Sequence, residues 1–303
     1  MARLPKMRKK GIFAARLATD LIRSPELRAQ RMKELYWSAS RRYATALEIE
    51  RDGRRYLVNP SDIGISRGLF FEGNYEGENI DAVYKELRCR DRLPDQIFDV
   101  GANIGFVTVD LLGRIPDATG VAFEPDALNY RLLRQNLVGN DLDHRVVTHH
   151  MAVSDADTEL EFELSGDNAG DHRVRVMAAG GLLGEDNREI TTVPARRLDT
   201  LLAEGTIEYS ARTLVWMDIQ GHEAQAIEGF GKFADNPTVV EMWPYVLRRA
   251  GQLERFIELV TNWDEIIEVG RIRQQLTLDG LCRRVIELGD TGHGYTDLLL
   301  LKT

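Results

Sequence analysis

Short apolar runs alternate with amphipathic stretches from Gln96 onward: QIFDVG reads as a strand, IGFVTVDLLGRI as a helix, TGVAFE as a strand, and DALNYRLLRQNLVGN as a helix closed by Gly139-Asn140. RVVTHHMAV supplies a third strand, and a polar, strand-rich insertion over about 158–194 then interrupts the alternation before a helix at Leu198–Ala203. TLVWMDI, a helix from His222, PTVVEMW, a long helix from Tyr245 to Asn262, WDEIIEVG and YTDLLLLK complete the pattern. Strands alternating with helices specify an α/β fold with a mostly parallel sheet. Seven sheet strands are expected, the last of them antiparallel at an edge because only a short helix separates it from its predecessor. The insertion is expected to sit over the site. No internal repeat or low-complexity tract appears.

Upstream, Ile12, Phe13, Leu17, Leu21, Ile22, Leu35 and Tyr36 recur at helical spacing, and Ser24-Pro25 is placed to stop one helix and start another. ALEIERDGRRYLVNP contains two alternating runs around Asp52-Gly53, the signal of a hairpin over 47–58. The expected organisation is therefore a basic helical extension and hairpin at 1–60, followed by one large α/β domain at 61–303. The whole chain's 303 residues and 43% hydrophobic content suffice for a single large core.

Charge sharpens this division. The first 42 residues carry twelve Lys or Arg against Asp20, Glu26 and Glu34, whereas the whole chain has a net charge of -9. So acidic a body argues against a nucleic-acid groove, which needs clustered Lys and Arg to neutralise phosphates. Arg16, Asp20 and Arg23 break the longest early apolar run well short of the roughly 20 residues that span a bilayer, so no membrane span is expected. No apolar signal core with a small-residue cleavage site follows MARLPKMRKK, which points to a cytoplasmic protein. Cys89 and Cys282 resemble neither a disulfide framework nor a zinc site. The N-terminal helices are a candidate cap or homodimer surface.

The most informative segment is IFDVGANIGFVT at 97–108, where a buried strand ends at Gly101 and a helix begins within four residues. Glycines at 101 and 105 remove side chains that would block a ligand at the strand's carboxyl end, and the helix N-terminal amides can receive an anionic group. Glu124 ends the next strand, where a carboxylate can accept both hydroxyls of a ribose. The spacing Gly101, Asn103, Gly105 followed by Phe106 and Val107 lacks the third glycine that lets helix and strand close around a pyrophosphate. A compact ligand fits better than a dinucleotide, which disfavours a nicotinamide-dependent oxidoreductase.

Over roughly 62–243 the sequence resembles the FkbM family of S-adenosylmethionine-dependent methyltransferases. The blocks that carry the resemblance are IFDVGANIG, FEPDALNYRLLRQN, AVSD at 152–155, Leu198-Asp199, and WMDIQGHE at 216–223, together with GNYEG at 73–77. The resemblance implies a Rossmann-like class I methyltransferase fold with S-adenosyl-L-methionine as cofactor. By resemblance, Gly101, Asn103 and Gly105, with Asp99 and Ala102 in the same block, bracket the methionine part. Glu124 and Pro125 hold the ribose end, and Ala152, Val153 and Ser154 flank the adenine. Tyr75 and Glu76 reach toward the cofactor's amino acid end, and Asp218 belongs to the same set. Where the family block carries Lys and Glu, this chain has Trp216 and Gln220, so roles of those charged positions do not carry over.

Methyl transfer from a sulfonium needs alignment and exclusion of water more than catalytic groups. A hydroxyl or amide acceptor must also lose a proton, and strand-end candidates for taking it are His222 first, then Asp218 and Glu223. The same three could hold a divalent ion, but their spacing does not establish one and no metal is assigned. Asn168, Asp171, His172 and Arg173 in the insertion are candidate substrate contacts, and Trp243 and Tyr245 candidate walls of an apolar acceptor pocket. The expected activity is O-methylation of a specialised metabolite or sugar, with a small-molecule or peptide acceptor as partner. The alternatives are N-methylation of an amine or side-chain amide, and a cofactor-binding scaffold without catalysis.

Overall fold

The computed structural model describes residues 24–73, 75–166, 168–176, 180–270 and 274–303. The first expected N-terminal helix lies outside these residues. The chain forms two compact units, one of residues up to Leu47 with Asn59–Ser61, the other of Glu48–Val58 with Asp62–Thr303. In the smaller unit, helix α1 (Pro25–Tyr43) starts where Ser24-Pro25 indicated: the Ser24 hydroxyl accepts the Leu27 amide at 3.2 Å, and Pro25 fills the first turn, where its missing N–H costs nothing.

The hairpin belongs with the larger unit rather than with the extension. Its strands β1 (Leu47–Arg51) and β2 (Arg54–Val58) are joined at Asp52 and Gly53, whose φ values of 50° and 74° are those of a type I′ turn. Helices α2 (Ile65–Phe71) and α3 (Gly77–Cys89) lead into the sheet. There follow β3 (Gln96–Val100), α4 (Phe106–Arg114), β4 (Thr119–Phe123), α5 (Ala127–Gly139) and β5 (Val146–His149). The insertion contributes β6 (Ala152–Val153), β7 (Thr158–Leu164), β8 (Arg173–Val174) and β9 (Glu189–Arg196), and the chain returns through α6 (Leu198–Ala203) to β10 (Thr213–Met217). The remainder is α7 (Glu223–Glu228), β11 (Thr238–Met242), α8 (Pro244–Arg249), α9 (Leu253–Val260), β12 (Glu265–Glu268), β13 (Gln274–Leu276), α10 (Leu278–Leu288) and β14 (Thr296–Leu301).

The main sheet has the order β13-β12-β14-β11-β10-β3-β4-β5, eight strands among the described residues rather than the seven expected. Two strands differ from the sequence reading, and only the second changes the count. RVVTHHMAV is not one strand: β5 pairs with β4, while β6 turns into the insertion and pairs in parallel with β9. The short QQL segment adds β13, antiparallel to β12. The terminal strand β14 is antiparallel as expected but not at an edge, since it lies between β11 and β12. Its residues Leu298–Leu301 are all buried, as an uninterrupted leucine run covered on both faces must be. The expected long helix 245–262 is two helices, because Gly251 turns left-handed at φ 67° and the Gln252 amide bonds back to the Leu247 carbonyl at 2.8 Å.

One consequence of the order positions the site. From β3 the chain moves outward through β4 and β5, and later from β10 through β11 on the other side, so β3 and β10 are neighbours at the point where the winding reverses. Ligands in open α/β sheets bind beyond the carboxyl ends of the strands at such a reversal. The core beneath it, including Phe98, Phe123, Met217, Val240 and Leu300, is buried. Beside it the insertion folds into a sheet of its own in the order β6-β9-β7-β8. No helix among the described residues is long and apolar enough to cross a membrane.

Candidate active site

Gly101 leaves β3 with φ 85°, and an added Cβ there would lie 2.1 Å from the Asp218 carbonyl oxygen at the tip of β10. Only glycine permits both that conformation and that approach. The Gly101 and Ala102 amides bond the Phe123 carbonyl at 3.0 and 2.9 Å, which ties the loop to β4, and Asn103 follows at φ 50°. Asp99 is buried and accepts the Thr108 amide at 3.0 Å and the Thr108 hydroxyl, so it anchors the first turn of α4. Burial raises its carboxyl to about 7.

Glu124 ends β4 almost fully buried. One carboxylate oxygen accepts the Asn103 amide at 2.8 Å and the other the Asp126 amide at 2.7 Å, and burial lifts its pKa to about 8 despite those bonds. The acid is thus held between two loops with lone pairs left over for a ligand.

Gly101, Asn103 and Glu124 border a cavity partly open to solvent. Glu124 and Pro125 form one wall, Met151, Ala152 and Val153 another, and Asp218, Gln220 and His222 a third. The insertion supplies the cover with Phe162, Ala169, Gly170, His172 and Val174, as its expected position over the site required. It is fastened there: the Ala169 carbonyl accepts the side-chain amides of Asn103 at 3.0 Å and Asn129 at 3.2 Å, and its N–H donates to Asp62 at 3.0 Å. A second cavity has Tyr75, Glu76, Asp99, Ala102 and Trp216 in its lining. Gly101, Asn103 and Asp218 line both, so the two spaces adjoin at the β3 and β10 tips.

The three acceptor-side candidates separate clearly. Asp218 sits at that junction, its carboxyl raised by burial to about 6, with Gln220 donating to it. His222 lines the first cavity only, beside Ala152 and Val153, and burial lowers its imidazole to about 4. Its Nε2 is 2.9 Å from the Ser154 hydroxyl, which donates to Asp155 at 3.0 Å; the ring nitrogen is therefore the donor to Ser154, and the ring is neutral. Glu223 lines neither cavity. Its carboxylate accepts the Ile219 amide at 3.2 Å and the Gly221 amide at 2.9 Å, which shapes the loop after β10 instead of facing an acceptor. Asp218, His222 and Glu223 do not bring their ligand atoms together as a metal cluster; among the described residues Asp141, Asp143 and His144 do, on the open surface.

Other expected contacts fall elsewhere. Asn168 caps its own turn by accepting the Gly170 amide at 3.1 Å, and His172 lines the first cavity. Arg173 and Asp171 belong to a buried ion network, Arg173 reaching Glu163 at 2.8 Å, so they hold the insertion together. Trp243 and Tyr245 pack with Val246 outside both cavities, and the Tyr245 hydroxyl accepts the Leu182 amide at 2.6 Å. Gly105 and Ser154 stand behind the walls rather than in them.

The sequence reading missed three residues. Asn129, in the first turn of α5, has a buried side-chain oxygen without a partner and lines the first cavity. Glu241 on β11 and Asp297 on β14 face each other in the sheet register; burial raises both carboxyls, and the nearby Asp218 charge raises them further. Asn129 carried a legible signal, a polar residue on the inward face of a helix that follows the strand-end acid; the two carboxylates carried none.

The sequence model described as Methyltransferase FkbM domain matches residues 99–276. The 2-O-methyltransferase NoeI of Sinorhizobium fredii (strain NBRC 101917 / NGR234) is 28% identical over 189 residues, 58% of this chain and 74% of that protein. Among solved structures, the O-methyltransferase from Bacillus cereus in complex with SAH aligns with a TM-score of 0.40 and 14% identity, covering 90% of both chains. P. horikoshii TYW2 in complex with MeSAdo aligns with a TM-score of 0.41 and 12% identity, covering 91% of this chain and 84% of that one. Because the family domain matches residues 99–276, more than half of the chain, the chain belongs to the FkbM methyltransferase family.

Proposed function

We propose that the chain moves a methyl group from S-adenosyl-L-methionine to a hydroxyl oxygen of a small-molecule acceptor, a sugar or a specialised metabolite, with Asp218 as the base. The observation that carries this reading is the position of Asp218 where the two cavities meet. The residues fit an adenosyl ligand on two counts: Glu124 keeps lone pairs for ribose hydroxyls, and the orphaned Asn129 oxygen lacks a donor that a ligand can provide. Gly101, Ala102, Asn103, Glu124, Pro125, Ala152 and Val153 would hold it, with Glu76 and Asp99 toward the amino acid end. Bound there, it supplies an electrophilic methyl group.

The chain's own residues do the rest. Asp218, with a pKa of about 6, is mostly ionised at neutral pH yet basic enough to take the acceptor's hydroxyl proton as the new bond forms. His222, at about 4, is the weaker base and is tied to Ser154, so it serves as a neutral wall on the adenine side. The Phe162 to Val174 cover keeps water from the donor. The relative's name, a 2-O-methyltransferase, supports oxygen as the acceptor atom. The acids Glu76, Glu241 and Asp297 around Asp218 suit an amine acceptor that gives up a proton to Asp218 before its lone pair takes the methyl group, so N-methylation is the second reading. Methyl-labelled S-adenosylmethionine offered with polyhydroxylated and with amine acceptors separates them: label in an ether methyl is expected, and label only on nitrogen would overturn the first reading.

A further inference from the structure

Gln220 is an unusual residue in the loop after β10. It is buried and holds a left-handed backbone, φ 56°, without being glycine, a strain of the kind that persists where surrounding structure fixes it, often at functional sites. Its side-chain nitrogen donates one hydrogen to Asp218 and the other to Glu241, the latter at 3.2 Å. Asp297 stands opposite Glu241 in the antiparallel register and accepts a hydrogen bond from Asn79. Like charges directly opposite in a sheet are unfavourable, so this row of three carboxylates depends on the two carboxamides inserted into it.

We propose that Gln220 is a positioning residue, its carboxamide clamped between Asp218 and Glu241 so that the Asp218 carboxylate is held toward the junction of the two cavities. An amide can donate to two carboxylates at once, which neither a carboxylate nor an apolar side chain can do. Where the family block carries Lys and Glu, Trp216 and Gln220 remove one cation and one anion together. The loop thereby keeps its charge balance and gains a neutral double donor.

The titratable groups around Asp218 come from several neighbouring elements. Glu76 and Tyr75 precede α3, Asp99 lies on β3, and Glu223 begins α7. Glu241, Tyr295 and Asp297 come from β11 and β14, and Asp171 from the insertion. Burial first and then Asp171 disfavour an ionised Asp218, whose charge in turn raises the neighbouring acids and phenols, and the bond from Gln220 is the one that favours its ionised form.

The proposal rests on the reading of Asp218 as base, and the test separates the two. In Gln220→Leu and Gln220→Glu, the acidic limb of the kcat/KM profile is expected to move up by one pH unit or more, with the melting temperature and S-adenosylhomocysteine affinity near those of the parent. The Asp218 carboxylic-acid band, isolated by infrared difference against Asp218→Asn, should move in parallel without any turnover being measured. Both titrations unmoved would overturn the proposal, as would losses of activity that only follow losses of melting temperature. A parent enzyme that methylates no hydroxyl would instead defeat the function reading, and the infrared titration would still decide the role of Gln220.

Discussion

Replacement of Asp218 by Asn is expected to lower kcat by about 10²- to 10⁴-fold, the range that a positioned general base contributes. Asparagine keeps the size of the side chain and can still accept the Gln220 hydrogen, so the fold and S-adenosylhomocysteine affinity should change little. The parent's activity should rise with pH through about 6 as the Asp218 carboxyl ionises, because a base works only after losing its own proton. The variant's residual activity should lack that limb. More than a tenth of parental turnover, or an unchanged limb, would remove Asp218 from the role.

The second large effect is expected at Gly101. In Gly101→Ala the new carbon would lie 2.1 Å from the Asp218 carbonyl oxygen, and that neighbour is backbone, which cannot rotate aside. The φ of 85° adds strain of about 1–3 kcal/mol for any residue with a side chain. Strain and displacement together should cost about 3 kcal/mol or more, a fall in melting temperature of about 6–12 °C for a unit of this size. The strand tips must separate to make room, so S-adenosylhomocysteine binding should fall by more than about 100-fold, which corresponds to roughly 3 kcal/mol. Gly139→Ala is the control, since nothing lies within 4 Å of its added carbon. A Gly101→Ala protein that melts and binds like the control would show that the close approach of β3 and β10 is unimportant.

What could be read in the sequence was local. Asp52-Gly53 specifies its turn by itself, and the loop from Gly101 to Gly105 and the acid at Glu124 follow from a strand, a turn and a helix in immediate succession. The insertion over 158–194 stood out because it broke the strand and helix alternation. Gly251 shows where this reading stops: an isolated glycine in an apolar periodic stretch can be tolerated in a helix or can end one, and here the chain turns. The leucine run of β14 indicated a covered strand but not its neighbours. The Asp218, Glu241 and Asp297 row depends on sheet register between segments far apart in sequence, which no periodicity encodes. His222 is the base the sequence puts first, yet burial outweighs the nearby Asp155 carboxylate and lowers its imidazole to about 4, and burial is a property of the fold.

The account depends on a berth for an adenosyl sulfonium formed by the Gly101 loop and Glu124. Isothermal titration of the parent and of Glu124→Ala with S-adenosylhomocysteine and with a nicotinamide dinucleotide tests it most directly. The parent should bind the first and not the second, and the variant should lose about 1–3 kcal/mol of that affinity, the usual cost of leaving buried hydrogen-bonding groups unpaired. Heat from the dinucleotide alone, or equal S-adenosylhomocysteine affinity in the two proteins, would contradict it.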